Sequence, residues 1–181
     1  MIGLENGAVR LITYTARWEQ LFKEEKSRLE SAIGQHVLDI QHVGSTAIPG
    51  LVAKPILDIG VAVVNFDDAR VCIKPIEELG YKYRGEFGIP RRHYFVKGDP
   101  RTHHLHMSEI DSPNWENHVL FRDYLIQHPE LAKEYAELKL RLADRFSTDR
   151  EAYLDGKAPF IERVMKMARG EVDGLRGSDS G

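Results

Sequence analysis

The chain has 181 residues, with 25 Lys and Arg against 28 Asp and Glu and a formal net charge of −3, so it is long enough for one well-cored domain and short for two. That balance leaves no broad basic surface of the kind duplex DNA or RNA needs, and nucleic acid is not an expected partner. The single cysteine, Cys72, excludes an intramolecular disulfide and a cysteine-based zinc cage.

The start, Met1 to Asn6, lacks the basic end and apolar core of a signal peptide, and no run approaches the length of a membrane span. A cytoplasmic location with no membrane partner is therefore expected. Trp18, Leu21, Phe22, Leu29 and Ile33 recur at helical spacing and predict a helix over 15–33, with Thr15 as N-cap and Gly34 as the stop. Val37, Ile40 and Val43 predict a first strand, and the dense apolar run from Ile56 to Val64 a second. Residues 65–79 read as a helix closed by Gly80, which Pro75 must kink or restart. Strand candidates follow at 81–85, 91–97 and 102–110, the last two joined as a hairpin through Gly98-Asp99-Pro100.

The remainder is helical. Ser112 caps and Pro113 opens a helix to about His128, Pro129 opens another to about Phe146, and Thr148 with Glu151 forms a capping box for a third. Leu131, Tyr135, Leu138 and Leu142 stripe the middle helix, whose charges Lys133, Glu134, Glu137, Lys139 and Arg141 read as a solvated face. Residues 170–181 are Gly-rich and polar and read as a flexible tail. This order predicts an α+β fold: a mixed sheet flanked by helices, with a C-terminal helical segment from about residue 112, in one domain spanning 1–169.

Chemistry concentrates around the first two strands. The Gly44-Ser45-Thr46 turn presents backbone N–H groups and two hydroxyls with little bulk, which suits close approach of a phosphate, and Lys54 adds a positive charge. Asp58 is the only charged side chain in the second strand and shares a face with Ile56, Gly60 and Ala62. A carboxylate in such a strand needs a partner, and a metal ion is one that justifies it. His104 and His106 share one face of their strand while Leu105 and Met107 take the other, so two imidazoles point into one space. Neutral imidazole suits Zn²⁺, Mn²⁺ or Ni²⁺ better than Mg²⁺. Taken alone, such a pair is more often two sheet histidines bonded to their neighbours; Asp58 supplies the context for a site.

His42 either points at this site or closes the strand. Arg91 and Arg92 alternate faces, so one of them can clamp a phosphate, and Arg92 is the candidate; Arg84 and Glu86 are weaker ones. Lys157, beside Gly156, reads either as a phosphate contact from the helical segment or as a surface lysine. There is no Gly-Lys-Ser/Thr P-loop, no Gly-x-Gly-x-x-Gly and no Gly-x-Ser-x-Gly.

The run HVGSTAIPGLVAKPILDI over 42–59 resembles the signature of the GrpB family, small bacterial proteins that are themselves similar to the nucleotidyltransferase superfamily. Arg92-His93-Tyr94-Phe95, Thr102 to His106 and Phe121 to Leu125 extend the resemblance over roughly 10–169, and Lys157 matches a lysine that GrpB-like sequences carry. The resemblance implies a nucleotidyltransferase-type sheet and a nucleotide or other phosphate-bearing small molecule as partner. It places Gly44, Ser45, Thr46, Lys54, Arg92 and Lys157 on the phosphates. Asp58, His104 and His106 become the catalytic candidates and the ligands of a divalent metal, Mg²⁺ or Mn²⁺ with Zn²⁺ as a further choice. An unidentified acceptor would then receive the nucleotidyl group. One departure stands out: the superfamily carries an Asp-x-Asp pair, and Gly60 takes the place of its second carboxylate. That departure supports an alternative, a domain of the same fold that binds a ligand or a partner protein without catalysis. A metal-dependent phosphohydrolase built on Asp58 and the two histidines is a third reading.

Overall fold

The computed structural model describes residues 2–5 and 7–178, the last six of these by backbone alone. Helix α1 (Arg17–Ile33) leads into β1 (Asp39–Val43) and β2 (Leu57–Val63), then α2 (Ile73–Glu78), β3 (Tyr81–Tyr83), β4 (Arg92–Lys97), β5 (His103–Glu109), α3 (Pro113–Gln127), α4 (Pro129–Arg145) and α5 (Arg150–Ser178). The five strands form one sheet in the order β1-β2-β5-β4-β3. β2 and β5 run parallel and every other neighbouring pair is antiparallel, so the expected mixed sheet and the β4–β5 hairpin are both present.

Period-two alternation gives the sheet two different faces. Leu57, Ile59 and Val61 of β2, with Leu105 and Met107 of β5, pack against Trp18, Phe22, Leu29 and Ile33 of α1. Leu29 and Ile33 are fully buried there, and each such side chain contributes about 1.5–3 kcal/mol. The opposite face carries Asp58, Gly60, His104, His106 and Tyr94. A second apolar cluster lies on that side: Tyr124 and Leu125 of α3, Leu131 and Tyr135 of α4, and Phe160, Val164 and Ala168 of α5 close over Ile48 and Leu51. Those last two belong to the β1–β2 connector, so the segment beside the candidate phosphate turn is also what docks the C-terminal helices.

Most helix boundaries lie where local chemistry predicts. Ser112 caps α3, its hydroxyl accepting from the Trp115 N–H. The helix expected over 65–79 is instead a 3₁₀ turn, Asp68–Cys72, followed by the six-residue α2. Pro75 sits in the first turn of α2, where a missing N–H leaves no bond unmade. Gly34 keeps helical angles and passes into a 3₁₀ turn rather than stopping the chain at once. Asp149 rather than Thr148 caps α5, accepting from the Ala152 N–H at 3.0 Å. That helix continues through Gly170 to Ser178, over most of the stretch expected to be a flexible tail; residues 179–181 lie outside the described residues. Lys139 is the largest correction on α4. Its side chain is 1% exposed, and its Nζ donates to the Val52 carbonyl of the connector beside the Tyr135 ring. Among the described residues, no helix is long and apolar enough to cross a membrane.

Candidate functional site

The parallel register of β2 and β5 sets Asp58 beside His104 and Gly60 beside His106. Asp58 Oδ1 therefore faces His104 Nδ1 at 3.1 Å and His106 Nε2 at 3.3 Å, and the three groups offer ligand atoms within 4.8 Å of one another. Burial alone would raise the Asp58 carboxyl. The two imidazole hydrogen bonds, with their electrostatic support, outweigh it and hold Asp58 well below the usual carboxylate range. Burial lowers the His106 pKa, so its ring is neutral at pH 7.

Arg92 determines which proton His106 carries. A guanidinium has only protons to offer, and its Nη1 lies 3.5 Å from His106 Nδ1, so Nδ1 accepts and Nε2–H faces Asp58. Ligation of a metal through His106 Nε2 requires the other tautomer and loss of the Arg92 contact. A carboxylate with two imidazoles is otherwise a donor set that fits Mn²⁺ or Zn²⁺ better than Mg²⁺.

Gly44 is required here on two counts. Its φ of +70° is one that other residues rarely adopt, and a Cβ on it would lie 2.7 Å from Asp58 Oδ2. The turn thus rests directly on the carboxylate. Thr46, by contrast, is buried, with its hydroxyl 2.9 Å from His42 Nε2. His42 lies on the α1 side of the sheet, stacked on Phe22 at 4.8 Å, where burial pushes its pKa down to about 4. His42 and the Thr46 hydroxyl brace the turn from behind instead of facing a ligand.

A cavity of about 590 Å³ opens over the Asp58 face, bounded by Gly44, Ser45 and the two histidines on the sheet side and by α3 and α5 opposite. Lys54, Lys157, Arg84, Arg101 and Arg150 all line it. The Lys54 and Lys157 ammonium groups sit 4.5 and 4.6 Å from the centre of the Tyr153 ring. Burial first, then the charges of Lys157 and Arg150, lowers Lys54 to about 8; burial and Arg150 lower Lys157 to about 8 against the pull of Asp58. The cavity is therefore a concentration of cations facing two carboxylates, Asp58 on the sheet and Glu5 of the N-terminal segment.

Arg92 is not among its walls. It is 6% exposed and lies under the 84–91 loop, where Nη2 donates to the carbonyls of Glu86 and Phe87, each at 3.1 Å. β4 does turn Arg92 toward the cleft side, but at Ser108, two pairs along from His106 and four from His104, where the loop covers it. Arg91 pairs with Glu109 at 2.7 Å near the surface. The clamp expected on phosphate is a clamp on the protein's own backbone.

His118 of α3 is not singled out by any sequence pattern, yet it lines the cavity with its ring 4.8 Å from that of His106. Burial, then His106, pushes its pKa down to about 4. Arg101, Arg150, Phe87 and Tyr94 were also missed. The one available signal for His118 was its helical face, shared with Trp115 three residues earlier. Trp115 itself accounts for Gly60: a Cβ at residue 60 would lie 3.2 Å from the indole and 3.3 Å from Val43. The place of a second carboxylate is filled by an aromatic ring.

Residues 8–167 match the family model for GrpB protein. The chain belongs to the GrpB family. It is 41% identical over 162 residues to the UPF0157 protein YqkA of Bacillus subtilis, covering 89% of this chain and 47% of that one, so the chain spans about half the length of this relative. The crystal structure of the conserved protein GrpB from Enterococcus faecalis superposes with a TM-score of 0.85 at 34% identity, over 90% of this chain and 99% of that one. The Cid1 poly(U) polymerase is a much more distant match, with a TM-score of 0.43 and 14% identity over 71% of this chain and 45% of the other. At that distance it carries no argument about activity, and the functional reading rests on the site's own residues.

Proposed function

We propose that this GrpB-family chain binds a phosphate-bearing small molecule, with nucleotides the expected class, together with one divalent metal ion. The observation that carries the reading is the convergence of Asp58, His104 and His106 on the wall of a cavity that Lys54, Lys157, Arg84, Arg101 and Arg150 also line, with Glu5 the one other carboxylate among its described walls. Its volume falls in the range of small-molecule sites, about 300–1,000 Å³. Five cations gathered around two carboxylates, Asp58 and Glu5, lower one another's stability, and a polyanion relieves that strain. Ser45, Lys54 and Lys157 would hold phosphate oxygens. Asp58 and His104 would be the principal metal ligands, with His106 joining them on giving up Arg92. A bound ion would neutralise phosphate charge at this wall.

Nucleotidyl transfer to an acceptor hydroxyl or amine is the catalytic form of this reading, and it must proceed with one ion. A two-ion arrangement needs a carboxylate where Trp115 covers Gly60. That packing favours a second form, in which the cleft binds its ligand without turnover. Calorimetric titration of the four common nucleoside triphosphates with Mg²⁺ and then Mn²⁺, followed by a pyrophosphate assay, separates them. Saturable, metal-dependent binding is expected, tighter with Mn²⁺. Pyrophosphate release would establish transfer, and its absence the binding form. No binding with either ion would remove the reading altogether.

The lysines supply a pH test. Lys54 and Lys157 lose charge as pH rises through about 8, so affinity for inorganic tripolyphosphate should fall steadily between pH 7 and 9.5. Stability of the ligand-free protein should move the opposite way. A folded-state lysine pKa below the unfolded value of about 10.4 means that the unfolded chain binds more protons between pH 8 and 10, and stability rises with pH in that window. Calorimetry and thermal unfolding over the same pH series check both; parallel trends would contradict the assignment.

A further inference from the structure

Phe87 lines the cleft from the 84–91 loop and keeps 55% of its surface exposed. Its backbone lies in the left-handed region, φ +48°, which a bulky residue seldom adopts. The conformation is held firmly. The buried Arg92 guanidinium bonds the Glu86 and Phe87 carbonyls, the Glu86 carboxylate accepts from the Arg91 N–H, and Asn114 donates to the Pro90 carbonyl. Tyr94 supports the ring from the sheet, with centroids 5.2 Å apart and planes 24° from parallel. The same Tyr94 ring lies 5.2 Å from His106 and 5.8 Å from His104, so Phe87 is one aromatic neighbour removed from the Asp58 triad. Arg84, another wall of the cleft, places its guanidinium 5.8 Å from the Phe87 ring.

A large apolar ring half in water, on a backbone that disfavours it, is not what folding stability alone selects. A rigid, flat, partly exposed ring beside cations and a phosphate-sized space suits a ligand that is charged at one end and planar at the other. Its preorganisation removes the ordering cost that a mobile side chain would add on binding. We propose that Phe87, braced by Tyr94 and fixed by Arg92, is a stacking platform for a planar heteroaromatic ring, so that the ligand of this cleft is a nucleotide rather than an inorganic or sugar phosphate. The proposal rests on the reading of the cleft as a phosphate site.

The test compares the four nucleoside triphosphates with inorganic tripolyphosphate, each titrated with Mn²⁺ into the native protein, Phe87→Ala and Phe87→Trp. At least one nucleotide should bind the native protein more tightly than tripolyphosphate does. Phe87→Ala should weaken that nucleotide by roughly fivefold to a hundredfold, the range of a lost base–aromatic stack. It should leave tripolyphosphate unchanged within about twofold, and Phe87→Trp should restore nucleotide affinity. Two results would overturn the platform while sparing the phosphate site: unchanged nucleotide affinity in Phe87→Ala, or equal losses for nucleotide and tripolyphosphate. If neither ligand class binds the native protein, the phosphate reading fails and the platform with it.

Discussion

Asp58→Asn should weaken Mn²⁺ or Zn²⁺ binding by more than about a hundredfold while leaving the fold intact. Loss of a residue that merely orients a metal ligand already costs about 10- to 100-fold, and Asp58 is the only carboxylate in the three-residue ligand cluster. Asparagine is the informative substitution because both imidazoles contact Oδ1. An amide oxygen can stay there, so geometry is kept and charge is lost. The amide nitrogen would take the Oδ2 position facing Gly44, where no side chain competes for the space. The variant also carries a pH signature. Asp58 titrates below its unfolded value near 3.9, so the unfolded chain binds the extra proton first and the native carboxylate adds stability above about pH 4. That contribution fades as pH falls below 4 toward the folded pKa. The difference in melting temperature between native protein and Asp58→Asn should therefore shrink between pH 5 and 3. Metal titration together with thermal unfolding across that range checks both halves. An Asp58→Asn protein that binds Mn²⁺ as the native one does would place the metal elsewhere.

The parts of this site legible in the sequence are those fixed by local periodicity. Alternation in β2 and β5 put Asp58 and the two histidines on faces opposite the core residues Ile59 and Leu105, and the parallel register then joined those faces. The glycine turn was readable because a strand, a positive-φ residue and a carboxylate occur in a fixed order. Charged residues whose surroundings come from distant segments were not. Arg92 has the same strand signature as a solvent-facing clamp, and only the fold of the 84–91 loop over it turns its donors inward. Lys139 occupies a helix face that is charged in sequence, yet the connector carrying Val52 lies across it. His118, Arg101 and Arg150 reach the cleft from elements whose placement over the sheet depends on the packing of Ile48 and Leu51 under α3, α4 and α5, which no short-range pattern encodes. Gly60 was noticed as an absence. What fills the space, Trp115, lies far along the chain on α3.

That substitution of a ring for a carboxylate predicts the second large effect. Gly60→Asp, which would rebuild an Asp-x-Asp pair, should destabilise the protein by roughly 3–5 kcal/mol. The new Cβ would stand 3.2 Å from Trp115 and 3.3 Å from Val43, so the indole must shift before the carboxylate has any room. The carboxylate would then press against Trp115 and Val43, with Asp58 two residues away on the same face as a like charge. Gly60→Ala separates the two costs, since it carries the steric part alone and should lose only about 1 kcal/mol. Trp115→Ala opens the space at the expense of its own packing, about 3–5 kcal/mol. Because the two side chains compete for one volume, the double variant Gly60→Asp/Trp115→Ala should be more stable than the sum of the single losses by about 1–2 kcal/mol. Urea unfolding of the four variants and the native protein measures the cycle. Strict additivity, or a Gly60→Asp protein as stable as the native one, would show that Trp115 yields at no cost. In that case packing would not be what keeps a second carboxylate out of this cleft, and a limit of one metal ion would lose its structural basis.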